Sequence, residues 1–254
     1  MTLTRSPTRP LLVAALLALA LIARAPAAHA QAFTAEEARQ FRSPQHFALE
    51  LRMGPYKPDI DSEFSSGRKP YASFYGGRHL MTQLEFDWQF FRKFGSLGAG
   101  VSIGYFSTTA HNPAVETSGA SADTSNLRII PFSLGLVYRF DYLYQERQIP
   151  LVPYGKLGFD YAIWRVLDAN DGVATDPLGG HASGGVRGWH AAVGLSLVLD
   201  FIDPDGARAF DDELGVNHTH LFFEFSHADI SGLGEANKIH LGDTTWSLGL
   251  LFEF

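Results

Sequence analysis

The chain has 254 residues, 46% of them hydrophobic and 13% aromatic, with 25 glycines and a formal charge of −7. It holds no cysteine, which excludes a disulfide framework, a thiolate site and lipid attachment through an N-terminal cysteine. The acidic balance argues against nucleic acid as a partner, since that needs a basic face.

Residues 1–30 have the layout of a secretory signal peptide. Arg5 and Arg9 precede the apolar run Leu11 to Ala23, and small residues follow at Ala28 and Ala30. The run of 13 residues is short against the roughly 20 that a spanning helix needs. Cleavage before Gln31 removes Arg5, Arg9 and Arg24, taking the 20 basic residues to 17 against 27 acidic, a net charge near −10. Residues 31–45 form a short polar lead on the periplasmic side, and residues 46–254 carry the folded domain.

Period-two alternation then recurs in eight segments. The first sets Phe47, Leu49, Leu51 and Met53 against Glu50 and Arg52. The second sets Leu84, Phe86, Trp88 and Phe90 against Glu85 and Asp87. In the third, Leu97, Ala99, Val101, Ile103 and Tyr105 oppose glycine and serine. The fourth, from Ile130, sets Phe132, Leu134, Leu136, Tyr138 and Phe140 against Arg139 and Asp141. The fifth sets Leu157, Phe159, Tyr161 and Ile163 against Lys156 and Asp160, and the sixth Trp189 to Phe201 against His190 and Asp200. The seventh opposes Leu221, Phe223 and Phe225 to His220 and Glu224. The eighth ends the chain, with Trp246, Leu248, Leu250, Phe252 and Phe254 on one face.

The connections alternate between long and short. Residues 57–79, "HNPAVETSGASADTSN", "DANDGVATDPLGGHASGGV" and "SGLGEANKIHLGD" are long; the turn Lys93 to Ser96 and "QERQIP" are short. Long loops at one end and short turns at the other fit an outer-membrane barrel with both termini on the periplasmic side. Ile202 to His218 is long where a short inner turn is expected, and no strand pattern accounts for it; its composition permits a helical turn around Ala207 to Leu214.

The apolar face is the larger and more aromatic one, and the other face mixes both signs of charge with small residues. That assigns the apolar face to lipid and an interior polar network to Glu50, Arg52, Glu85, Asp87, Arg139, Asp141, Lys156, Asp160, His190 and Glu224. An interior of eight strands is just wide enough for side chains to fill. Tyr138, Phe140, Tyr142, Tyr144, Phe201, Phe252 and Phe254 fall at the inner level, and Tyr105, Trp189 and Trp246 at the outer, as two aromatic belts require. A secreted β-sandwich would carry the same alternation but would place these charges in water. The fold expected is therefore all-β, an antiparallel up-and-down transmembrane barrel of about eight strands, in the cell outer membrane and in contact with its lipid.

The terminal stretch resembles the C-terminal sorting signal of bacterial outer-membrane proteins. The resemblance implies that Trp246, Leu248, Leu250, Phe252 and Phe254 are read by the barrel-assembly machinery, a partner during biogenesis. Over nearly the full mature length the chain also resembles a family of outer-membrane β-barrel proteins from myxobacteria, of OmpA/OmpX/OmpW-like architecture. "LRMGPYKPDID", "PYASFYGG" and "FDDELGVNHTHLFFEF" carry that likeness. It implies a location and a fold, and no catalytic residues.

Candidates for chemistry are few. Ser226, His227 and Asp229 fall at the outer end of the seventh strand, with His181 and Asp243 in loops, but parity separates Ser226 from His227. His218 and His220 share a face without a third metal ligand nearby. "DANDG" lacks the closing glutamate of a calcium loop, and "GGHASGGVRG" lacks the helix of a phosphate cradle. The expectation is a structural or surface-interaction barrel with no catalytic, cofactor or metal site. A narrow solute channel and an outer-leaflet lipid-modifying enzyme are the alternatives.

Overall fold

The computed structural model describes residues 45–64, 67–113, 120–175, 180–235 and 238–254. The expected signal peptide, residues 1–30, lies outside the described residues, as does the polar lead except for Gln45.

Eight strands close into a barrel in which each pairs with its sequence neighbours and β1 pairs with β8. They are β1 (Phe47–Tyr56), β2 (His79–Arg92), β3 (Ser96–Pro113), β4 (Ala120–Arg139), β5 (Leu151–Leu167), β6 (Ser183–Val198), β7 (His218–Asp229) and β8 (Asp243–Glu253). Every adjacent pair is antiparallel. Closure joins β1 to β8 from Ala48 to Met53, and a closed sheet is the form in which strands can stand in hydrocarbon. Among the described residues no helix is long and apolar enough to cross a membrane.

The side chains separate by parity as the alternation demands. Outward lie Trp88 at 55% exposed, Leu134 at 60%, Phe159 at 71% and Leu248 at 47%; inward lie Glu50, Asp87 and Arg139, none above 1%. A bulge between Gln89 and Phe91 turns both Phe90 and Phe91 outward near the inner end of β2. Going up β3, β4, β5 and β6 the outward face changes from apolar to polar, at Ser107, Arg128, Arg165 and Arg187. On β4 the apolar stretch from Tyr138 to Ile130 has about the length that crosses the hydrocarbon. A soluble barrel would inherit the opposite arrangement, so the chain is an integral outer-membrane β-barrel.

Several elements depart from the sequence reading. Strands β3 and β4 run on past the expected ends, to Pro113 and back from Ala120, so most of the second long loop is a hairpin extension. Tyr142 and Tyr144 belong to a short helix, α2 (Tyr142–Arg147), that fills the connection after β4. Asp141 stands at its N-cap, outside the strand, and pairs with Arg92 at 3.7 Å. Asp200 likewise lies past the end of β6.

The long inner connection is α3 (Pro204–Leu214), three turns rather than one. Asp203 caps it by accepting from Gly206 N at 3.0 Å, Pro204 opens it, and Gly215 closes it at φ 70°. Asp before Pro and Gly after the last turn are the helix signals. In the first outer loop a 3-10 turn (Asp59–Glu63) precedes α1 (Pro70–Phe74), and Asp61 accepts from the amides of Tyr71 and Ala72.

Candidate functional site

The interior is layered from the inner mouth to the outer. At the bottom, Gln89 donates to Glu253 at 3.0 Å and His220 Nε2 lies 3.3 Å from the same carboxylate. His218 Nδ1 meets Asp200 at 2.5 Å on the inner connection. Burial opposes ionisation of Asp200, but the bond from His218 and the charge of that ring outweigh it and hold the carboxyl below the ordinary aspartate range. At Asp141 burial prevails, with Glu253 reinforcing it, and the carboxyl is raised despite Arg92.

The middle layer is a cross-barrel charge network. Arg139 donates to Glu50 at 2.5 Å and to Asp87. Lys156 donates to Glu50 at 2.5 Å and to Glu85 at 2.9 Å, and reaches Glu224 at 3.3 Å. Arg52 donates to Glu224 at 2.6 Å and pairs with Glu85. These seven residues come from five strands, β1, β2, β4, β5 and β7. The carboxylates of Glu50, Glu85 and Asp87 come close enough to hold a cation, but each is already paired with a guanidinium or ammonium group. Such a network lets each buried charge meet its opposite. Glycines at facing positions make room: a Cβ on Gly100 would collide with the Asp87 carboxylate.

Above the network, Asp160 accepts from Ser133 at 2.5 Å and bonds His190 Nδ1 at 2.9 Å, with His190 only half-buried. A cavity of about 100 Å³ opens here, with Arg52, Glu85, Asp160, His190 and Glu224 on its floor.

The roof is apolar and was not legible as such. Tyr56, Phe106, Leu127, Ile129, Ala162, Val186, Ile230 and Leu241 pack together beneath Tyr71, which α1 drops into the mouth at 1% exposure. Burial raises the Tyr71 hydroxyl pKa, and Tyr75 and Asp61 add to it. The available signal was the doublets Tyr105–Phe106 and Ile129–Ile130, where both faces of one strand become apolar.

Of the ten residues assigned to the interior network, Glu50, Arg52, Glu85, Asp87, Arg139, Lys156 and Glu224 form one connected cluster. Asp160 and His190 form a separate pair above it, and Asp141 sits outside. At the C-terminus, Trp246, Leu248 and Leu250 face outward, Phe252 and Phe254 are half-buried, and the Phe254 carbonyl accepts from His46 N at 2.6 Å.

The candidates for chemistry are partly gathered. His227, Asp229 and Asp243 border one recess of about 590 Å³ on the outer rim, with Lys57, Arg78, Ser231 and His240. Within it His227 Nδ1 bonds Thr244 Oγ1 at 2.7 Å, Asp229 accepts from Ser231 at 2.6 Å, and Asp243 holds Arg78 at 2.5 Å. His240 Nδ1 lies 3.1 Å from Ser62 Oγ. Ser226 borders the inner cavity instead, and His181 bridges to Thr175 in another loop. Asp168 closes an Asx turn by accepting from Asn170 N and Gly172 N, at 2.8 and 2.9 Å.

No protein-family model matches the chain, and no curated protein matches it. Among solved structures it is similar to a major outer membrane protein from Thermus thermophilus, at 13% identity and a TM-score of 0.43, covering 84% of this chain and 100% of that one. Neisserial surface protein A is similar at 10% identity and a TM-score of 0.41, covering 84% and 98%. The attachment invasion locus protein of Yersinia pestis is similar at 13% identity and a TM-score of 0.39, covering 83% and 97%.

Proposed function

We propose that this outer-membrane barrel is a structural and surface-interaction protein that neither conducts solutes nor catalyses a reaction. The observation that carries this reading is the filled interior: a charge network across the middle and an apolar plug under Tyr71 across the outer mouth. A water path would have to break both layers. Meanwhile the polar ends of β3, β4, β5 and β6 and the elements of the first loop stand on the outer side, where they offer a firm contact surface.

The lipid-enzyme alternative draws on the outer recess. Against it, neither His227 nor His240 has a carboxylate orienting its ring among the described residues, and a nucleophile–base pair needs that third group. The test is planar-bilayer conductance together with mass analysis of lipid A from cells that express the protein. Absence of stable conductance and an unchanged lipid A pattern are expected. Steady single-channel steps would overturn the filled-barrel reading. A lipid A change that disappears in His227→Ala or Ser226→Ala would overturn the non-enzymatic one.

A further inference from the structure

The ladder that closes the barrel is incomplete. Strands β1 and β8 pair from Ala48 with Glu253 up to Met53 with Leu248, and there the pairing stops. Yet both strands continue: β1 pairs with β2 through Tyr56, and β8 pairs with β7 back to Asp243. Three positions on each side, Gly54 to Tyr56 and Thr245 to Ser247, thus face each other without backbone pairing.

The sequence supplies the cause. The Pro55 carbonyl accepts from the Thr245 hydroxyl, so the main chain at Pro55 points into this seam. In an antiparallel ladder the amide of that residue would point the same way, and proline has none. Side chains hold the gap instead. Tyr56 OH donates to Leu241 O at 2.5 Å, and Arg78 reaches Pro55 O at 3.3 Å, Thr244 O at 3.0 Å and Asp243. Side-chain latches can release where a backbone ladder stays shut.

The same unpaired residues form a wall of the inner cavity: Gly54, Pro55, Tyr56, Thr245, Trp246 and Ser247 all border it. Trp246 also faces the bilayer. Inside, Asp160 Oδ2, Ser247 Oγ and Arg52 Nε lack partners, each on a side chain more than nine-tenths buried. An unfilled carboxylate oxygen calls for a donor. Glu85 and Glu224 on the same floor are already paired with Arg52 and Lys156, so a neutral donor serves, and Met81, Ile129 and Ile230 above favour an alkyl group. The volume of about 100 Å³ fits a group of roughly half a dozen heavy atoms, somewhat below the benzene-sized engineered cavity of about 150 Å³.

We propose that the cavity binds a small neutral amphiphile bearing a hydroxyl, drawn from the bilayer through the unpaired outer half of the β1–β8 seam. The hydroxyl donates to Asp160 and the alkyl group lies under the Tyr56–Ile129–Ile230 roof.

The native chain has no cysteine, so Ser226→Cys places one reporter thiol on the cavity, on β7 and opposite the seam residue Thr245. In proteoliposomes the thiol is labelled with neutral N-ethylmaleimide and with a charged sulfonate methanethiosulfonate. Each rate is normalised to the same reagent's rate with a free thiol in water. The neutral reagent is expected to label faster, 1-hexanol to slow it several-fold, and added Pro55→Val, which restores the missing N–H, to slow it about tenfold. Should Pro55→Val fail to assemble, Trp246→Ala decides, with faster labelling expected. Equal normalised rates for the two reagents, or rates untouched by the seam substitutions, overturn the lateral entry. Labelling that 1-hexanol does not slow overturns the binding site, and a thiol inert to both reagents overturns both.

Discussion

Arg139→Met removes one cation from the centre of the barrel. Asp87 then loses its ion-pair partner, while Glu50 keeps Lys156 at 2.5 Å. All three native groups are at most 1% exposed, so water does not replace the lost partner without disturbing the packing. Truncating one member of a buried pair costs about 3–5 kcal/mol, because the remaining charge stays uncompensated. At about 1.4 kcal/mol per tenfold, that is two to three and a half orders of magnitude in the folding equilibrium. Adding Asp87→Asn removes the stranded charge and should recover about 0.5–3 kcal/mol, the range of coupling between contacting residues. The assay is reversible urea unfolding in lipid vesicles, followed by tryptophan fluorescence and by heat-modifiable gel mobility. Single-variant losses below about 1 kcal/mol, or a double variant no better than Arg139→Met, would refute the idea that the network is electrostatically closed.

Further outcomes follow from other layers. Leu134→Lys, at 60% exposure on the outward face, should cost about 2–4 kcal/mol in vesicle unfolding if it lies near the bilayer midplane, whereas Arg165→Ala above the polar boundary should change little. Asp203→Ala should cost about 1 kcal/mol at α3 and raise amide exchange in its first turn, leaving exchange in the strands unchanged. Asp200 is held below its unfolded pKa of about 3.9, so its contribution is present at neutral pH and is lost as pH falls through the lowered folded value. Asp200→Asn should therefore lower stability at pH 7 and flatten the acid limb of the stability profile, which unfolding midpoints measured from pH 7 to pH 3 would detect.

The barrel was legible because its two solvents impose one rule on every strand. Lipid takes Trp88, Leu134, Leu195 and Leu248, and the interior takes Glu50, Glu85, Arg139 and Lys156, whatever the register. The site was legible only to the extent that parity places a side chain inward. Parity cannot say that Arg139 reaches across to β1 and β2, or that Asp141 slips out of the strand into a helix cap. The outer plug escaped because alternation loses its phase where both faces turn apolar, and because Tyr71 arrives from a loop. The extension of β3 and β4 escaped for a related reason. Past the membrane the outward positions become Ser107, Thr109, Asn126 and Arg128, and a strand whose outward face is no longer apolar loses the pattern that marked the others. Composition alone suggests a helical turn around Ala207 to Leu214, whereas the caps at Asp203 and Gly215, with Pro204 at the start, bound the full three turns of α3. Pro55 announces a missing donor, but which neighbour loses it depends on register.

The central claim is that hydrocarbon bathes the aromatic face while the charged face is enclosed. Single-tryptophan variants reconstituted with lipids brominated along the acyl chains test it directly. Trp88 and Trp246 face outward, whereas Trp164 packs against the apolar plug inside the barrel. Strong quenching of Trp88 and Trp246 with Trp164 spared is the result expected. Trp164 quenched as strongly as the other two, or Trp88 and Trp246 left unquenched, would contradict the account.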